Sequence, residues 1–439
     1  MRNKLLLNII IANLLWSFIP VVVSSLFLEV SIIMVIFLRF LIAGTFLFIL
    51  GIVLALYNNK FTRNHKISIS LLIKNIFHRN RRFYYVRNVF YYWLIGFIGI
   101  VLHIIFFFLM LKTTSITFTM ASSLLTIILI AVYEKGVKFE KFDIFKVLYI
   151  IMLIFSIIIL LYVATIGLIS QGQSINLSSF IYLILNSITT AFLYIGIDRD
   201  AYSKKEADNI SLNKYYKIPR LLIKMGVSFI LGILSMIPFI WITTTFYFSP
   251  ELRTESIMFF NQLLEIFIIG GRWEIIYLII FSTIIPYVLI FTANVSWKSE
   301  NLTYSQWNSI LNLIDPLGSI LFAVFLINEF FPLELLVILI FLLIITIIFR
   351  YAHEVKNLVK AYLLINVKSE NVKATILKIL KYYGVTSIYA LIGTYDLLIN
   401  VKTNSIRDLY YLVNNRLRPI DEIKKIEILF INKVEKLPI

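Results

Sequence analysis

Long apolar runs, each close to the length of a membrane-crossing helix and parted by short polar loops, constrain this chain more than any other feature. A helix needs about 20 apolar residues to cross the hydrocarbon core. By that ruler the spans fall near 5–28, 31–57, 89–111, 117–133, 145–168, 178–197, 221–248, 274–297, 303–327 and 332–350. The ninth is interrupted by Gln306, Asn308, Asn312 and Asp315. Composition agrees, with 60% hydrophobic and 15% charged residues, where a soluble domain carries about 45–50% apolar and about 25% charged. An ordinary soluble enzyme is thereby excluded. The net charge of +17 gathers in a few loops and the last ninety or so residues, so a nucleic-acid-coating chain is excluded too, and no nucleic acid is expected as a partner. The first run is too long for a signal-peptide core and lacks a small-residue cleavage site, so it reads as a retained span. The chain has no cysteine, hence no disulfide framework and no thiolate metal site.

Orientation follows from the basic residues of the loops. One set, 58–88, 134–146 and 198–224, is dense in Lys and Arg, whereas the opposite set holds only Lys112, Arg253 and Arg272. The dense set is expected inside a cell membrane, with both termini cytoplasmic and 249–273 facing out. The insertion 58–88 alternates basic residues with Ile67, Ile69, Leu71, Leu72, Ile76 and Phe77. It reads either as an interfacial helix on the bilayer or as a solvated basic loop.

Five spans per half would place a duplicated half upside down. Arg39 precedes Gly51 in the second span by the same spacing as Arg220 precedes Gly232 in the seventh. The fourth span closes on Glu134 and the ninth on Glu329. Two inverted five-helix repeats are expected, about 5–145 and 146–350, with a substrate site at their meeting place.

Trp16 and Pro20, the run Arg39-Phe40-Leu41-Ile42-Ala43-Gly44, Gly96-Phe97-Ile98-Gly99, Glu134, and Asp315-Pro316 with Glu329 resemble the EamA-type drug/metabolite transporter superfamily. The resemblance covers about 5–350 and implies a ten-helix secondary transporter, an exporter by family habit. The chain departs from the family at Asn328, where a glycine is usual, and in its long 58–88 loop.

Ionisable groups within a span cost roughly 2.5–3.5 kcal/mol each and need a partner or a wet cavity. Arg39 would either bind an anionic substrate group such as a carboxylate or pair with a neighbouring helix. His103 is a substrate contact, a proton relay or a hydrogen-bonded packing residue. Asp315 precedes Pro316, which removes a backbone donor, so it lines a cavity or marks a kink. Trp16, Asn186, Tyr287, Asn294, Asn308 and Asn312, with Trp297 and Trp307, either line that cavity or serve as interhelical bonds and interfacial anchors. Glu134 and Glu329 read as helix-end structural groups. No P-loop, no H-E-x-x-H and no dinucleotide turn is present, and His65, His78, His103 and His353 are too dispersed for zinc. Neither an enzyme activity, a metal nor a cofactor is expected.

After Arg350 the composition changes. Residues 351–360 read as a helical extension or linker, and 361–436 as a βαββαβ unit of the ferredoxin-like class. Its strands are 361–368, 386–392, 395–402 and 423–432, and its helices 371–383 and 405–415 with Ser405 as cap. Gly384 stops the first helix. The turn Gly393-Thr394-Tyr395-Asp396 before Leu397-Leu398-Ile399-Asn400-Val401 makes the unit similar to the Lrp/AsnC ligand-binding (RAM) domain. That resemblance implies pairing into a homodimer or higher oligomer, and amino-acid or related effectors contacted by Gly393, Tyr395 and Asp396. The local alternative is a hairpin that needs Gly for its conformation and Asp to brace the turn. The expected function is a secondary transporter of a small-molecule substrate, an amino acid for instance, embedded in the lipid bilayer and carrying a cytoplasmic sensing domain. A membrane receptor or scaffold signalling through that domain is the alternative.

Overall fold

The computed structural model describes residues 2–27, 29–61, 68–77, 87–138, 143–170, 172, 175–198, 216–246, 249–296, 304–356, 359–367, 372–380, 382, 384–403 and 406–430. The side chains of Glu134, Trp297 and Ser405, and residues 62–67 and 78–86 of the basic insertion, lie outside the described residues. The chain divides into two compact units, one of residues 1–130, 149–298 and 304–347, the other of 131–148, 299–303 and 348–439.

The first unit is helical because a backbone in lipid must satisfy its own hydrogen bonds. Among the described residues ten helices are long and apolar enough to cross a membrane: Lys4–Leu26, Ile32–Lys60, Asn88–Thr113, Ile116–Tyr133, Ile144–Ser170, Leu177–Gly196, Lys217–Thr245, Trp273–Asn294, Gln306–Leu326 and Leu333–Val355. They are called spans one to ten here. Their pairing repeats between the halves. The third packs on the sixth and the eighth on the first; the third packs on the seventh and the eighth on the second. Likewise the ninth packs on the first, and the fourth is bonded to the sixth through Asn186 and Ser122, 2.7 Å apart. The third and eighth spans each contain a π-helical turn, Ile95–Leu102 and Ile280–Ile284. The fifth and tenth keep the least of their surface inside, as outermost helices facing lipid should.

The second and seventh spans run antiparallel at the junction of the halves. Apolar side chains gain little by leaving lipid for one another, so close backbone approach must supply the cohesion. A Cβ on Gly226 would stand 2.6 Å from the Gly44 carbonyl oxygen, and one on Gly232 2.6 Å from the Gly96 carbonyl carbon. These glycines sit where helices touch.

Two spans are broken. The first breaks at Phe18, just before Pro20, and the ninth between Leu311 and Ile314, just before Pro316. The breaks meet. Ser319 donates its hydroxyl to the Ser17 carbonyl at 3.0 Å, and Gly318 lies against the Ser17 side chain. At the end of the ninth span Asn328 adopts φ +57° and the Glu329 N–H returns to the Ala323 carbonyl at 3.1 Å, a left-handed helix stop. That turn aims the Glu329 carboxylate at the start of the fourth span, where it accepts from Ile116 and Thr117 N–H at 3.1 and 2.8 Å.

Part of the basic insertion forms a helix, Ile69–Phe77. Its Leu72 and Ile76 pack with Ala55, Tyr92, Tyr216 and Ile223, so this apolar edge covers protein. Between the seventh and eighth spans the helix Pro250–Asn261 presents Glu255, which is 2% exposed. Glu255 accepts from Lys112 Nζ at 2.5 Å and from the Ile32 N–H at 2.7 Å.

In the second unit four strands, β1 (Val359–Val367), β2 (Val385–Ala390), β3 (Leu397–Thr403) and β4 (Ile423–Phe430), form one antiparallel sheet in the order β2-β3-β1-β4. Helices Val372–Ile379 and Ile406–Leu412 complete the βαββαβ ferredoxin-like unit. Alternate residues Ala361, Leu363, Ile365, Leu397, Ile399 and Val401 face the helices and are buried with Ile379, Leu409 and Leu412. The first helix is shorter than its sequence period predicts. The tenth span stays helical to Lys356, so the expected linker is mostly helix. Near that end His353 Nδ1 lies 2.7 Å from Asp143 Oδ1, and Asp143 also caps the fifth span by accepting from the Lys146 N–H.

Candidate functional site

Pro286 has no N–H to offer the carbonyl one turn before it, that of Ser282. The eighth span widens there into its π-helical turn, a feature found often at functional sites. The vacated Ser282 carbonyl accepts from two other spans: Trp16 Nε1 of the first at 2.9 Å and Arg39 Nη2 of the second at 3.3 Å. Arg39 Nε also donates to Thr283 Oγ1 at 2.8 Å, whose own proton goes to the Leu278 carbonyl. The guanidinium lies over the Phe40 ring at 4.9 Å.

Arg39 is 3% exposed, and among the described residues no carboxylate pairs with it. Its Nη1 has no hydrogen-bond partner. An aromatic wall stands beside it: Phe40 against Phe229 at 4.9 Å, Phe229 against Tyr287 at 5.4 Å, Tyr287 against Trp16 at 5.9 Å. Tyr277 and Tyr287 both lie within electrostatic reach of the guanidinium.

His103 follows the π-helical turn of the third span and is also within electrostatic reach of Arg39. Its Nδ1 lies 2.7 Å from both Asn186 Oδ1 and Thr190 Oγ1 of the sixth span. Asn312 bonds Tyr194, and Asp315 lies near Tyr194 and against Ser319. The carbonyl oxygens of the Asn308 and Asn312 side chains have no partner. His103, Tyr287 and Asp315 are half-buried.

Of the residues singled out from sequence, Trp16, Arg39 and Tyr287 are brought together directly. His103, bonded to Asn186, lies within electrostatic reach of Arg39, whereas Asp315 and Asn312 both neighbour Tyr194. Asn308 adds an unpartnered oxygen in the broken ninth span. Asn294 stands apart, exposed near the end of the eighth. Sequence reasoning passed over Ser282, Thr283, Thr190, Tyr194 and Phe229. Pro286 was the available signal for the first two, since a mid-span proline always vacates a carbonyl.

In the C-terminal unit Gly393 has φ +150°, a conformation open to glycine, and nothing crowds it. Asp396 Oδ2 accepts from the Val367 N–H at 2.7 Å, while its own N–H donates to the Ile365 carbonyl at 3.1 Å. The turn is thus sewn to β1, and the Asp396 carboxylate has a bracing role. Tyr395 is hydrogen-bonded to Glu427 and Lys425, and those two are paired at 2.7 Å. These bonds hold the Glu427 carboxyl below its ordinary range and the Lys425 ammonium above its own.

Residues 360–437 match the family model of the Lrp/AsnC ligand binding domain. No curated protein matches the chain. A solved structure titled only "Crystal structure of protein" is 14% identical, with a TM-score of 0.45 over 80% of this chain and 96% of that one.

Proposed function

We propose that the protein is a secondary transporter of the EamA drug/metabolite type that exports a small carboxylate-bearing metabolite across the cell membrane, with its termini in the cytoplasm. Its C-terminal domain senses an amino acid or related effector and pairs with a second copy. One observation carries the reading. Arg39 sits buried inside a span with no carboxylate partner among the described residues and with Nη1 unspent. Such a group costs roughly 2.5–3.5 kcal/mol to place in a membrane, and an incoming carboxylate would offset that cost. Arg39 and its neighbours come from spans of both halves, the meeting place where rocking would alternate access. The ligand-binding domain adds control, since an effector that favours one transport state shifts the balance toward it.

The test is flux of a panel of radiolabelled amino, keto and hydroxy acids through full-length protein in proteoliposomes. Arg39-dependent flux is expected for at least one of them. Binding without any flux would turn the assignment to a receptor. Efflux compared with uptake in cells with and without the protein decides the direction.

A further inference from the structure

The hydrogen bonds around His103 leave one consistent assignment of protons. Ser122 Oγ donates to the Thr119 carbonyl at 2.7 Å, so toward Asn186 it can only accept. The atom of Asn186 facing Ser122 is therefore the amide nitrogen, at 2.7 Å, and the oxygen Oδ1 faces His103. Thr190 Oγ1 spends its proton on the Asn186 carbonyl at 2.6 Å, so it too accepts from the ring. Two acceptors converge on Nδ1. The neutral imidazole must then carry its proton on Nδ1, leaving Nε2 as a bare acceptor.

Among the described residues Nε2 has no protein partner, and the half-buried ring lies within electrostatic reach of Arg39. The Arg39 guanidinium thus offers only donors, and His103 Nε2 a lone pair. We propose that Arg39 and His103 form a two-point receptor for carboxylates bearing an N–H or O–H donor close by, α-amino and α-hydroxy acids being the simplest. Arg39 takes the carboxylate and His103 Nε2 accepts from the amino or hydroxyl group. Asn186, Thr190 and Ser122 are positioning residues that fix the tautomer. This inference rests on the transport reading and narrows its substrate class.

The test compares matched probes on full-length protein in nanodiscs: L-leucine, L-2-hydroxy-4-methylpentanoate and 4-methylpentanoate, then alanine, lactate and propionate. Binding is measured by calorimetry. Binding lost in Arg39→Gln belongs to this receptor; binding that survives it belongs elsewhere and is subtracted. The donor-bearing members should bind at least about tenfold more tightly than the bare acid, because a site built around a hydrogen bond penalises its absence. His103→Ala should shrink that ratio to below about twofold. Arg39-dependent binding with no such ratio, or a ratio unchanged by His103→Ala, overturns the inference and leaves the transport reading standing. Absence of Arg39-dependent binding by any carboxylate overturns both. Nitrogen-15 spectra of histidine-labelled protein, with His103→Gln to assign the signal, read the tautomer without any need for the alanine variant to fold. A proton on Nε2 instead of Nδ1 also overturns it.

Discussion

Pro286 decides where the guanidinium of Arg39 finds a partner. It frees the Ser282 carbonyl that Arg39 and Trp16 share. Pro286→Ala would return that carbonyl to its own helix, and flux is expected to fall about fivefold to tenfold, the worth of roughly 1 kcal/mol per lost hydrogen bond. Arg39→Gln should abolish flux while leaving the protein monodisperse. At the end of the ninth span, Asn328 stands in the left-handed region at φ +57°. Asn328→Gly should be near neutral, whereas Asn328→Ala should lower stability by about 1 kcal/mol, read as a fall in Tm. Arg39 was legible in the sequence because a charge in an apolar run stands out. The Pro286 effect was not, since nothing in one sequence tells which neighbour faces a vacated carbonyl. Asn328 read as a departure from the usual glycine, and the backbone shows why asparagine can serve: it too tolerates this conformation.

At the scale of elements, the packing of the second, third and seventh spans turns on bare backbone. Gly226→Val should fail to yield monodisperse protein on size-exclusion chromatography, because the nearest Gly44 oxygen cannot retreat. Gly167→Ala is the control: its added Cβ would stand 3.5 Å from Phe330, ordinary contact, and the variant should behave as the parent. The ten spans were legible from length and hydropathy, because lipid allows so few alternatives. The helix Ile69–Phe77 was harder, as its alternation fits lipid, solvent or protein equally, and only the packing of Leu72 and Ile76 decides among them. In the tail, strand alternation was legible since one face is buried, whereas the first helix ends early, at Ile379, before the stop at Gly384.

For the whole molecule, orientation rests on the charge of the loops. The natural chain has no cysteine, so single reporters need no background removed. Arg253→Cys should react with an impermeant maleimide added outside intact cells, and Ile392→Cys in the tail only after permeabilisation. Reversed labelling would invert the topology. The likeness of the two halves, faint in sequence as Arg39–Gly51 and Arg220–Gly232, becomes plain in the pairing of third with sixth and eighth with first. Helix partners carry that likeness, because packing preserves geometry long after side chains diverge.

Gly44 and Gly226 meet with no side chain between them. The two backbones touch there directly, flanked by Phe48 and Phe229. Under the transport proposed above, each half taking the shape its counterpart now holds, pivoting there, would turn the Arg39 site toward the other face of the membrane. On that proposal, a single fold would hold the template for both ends of the cycle.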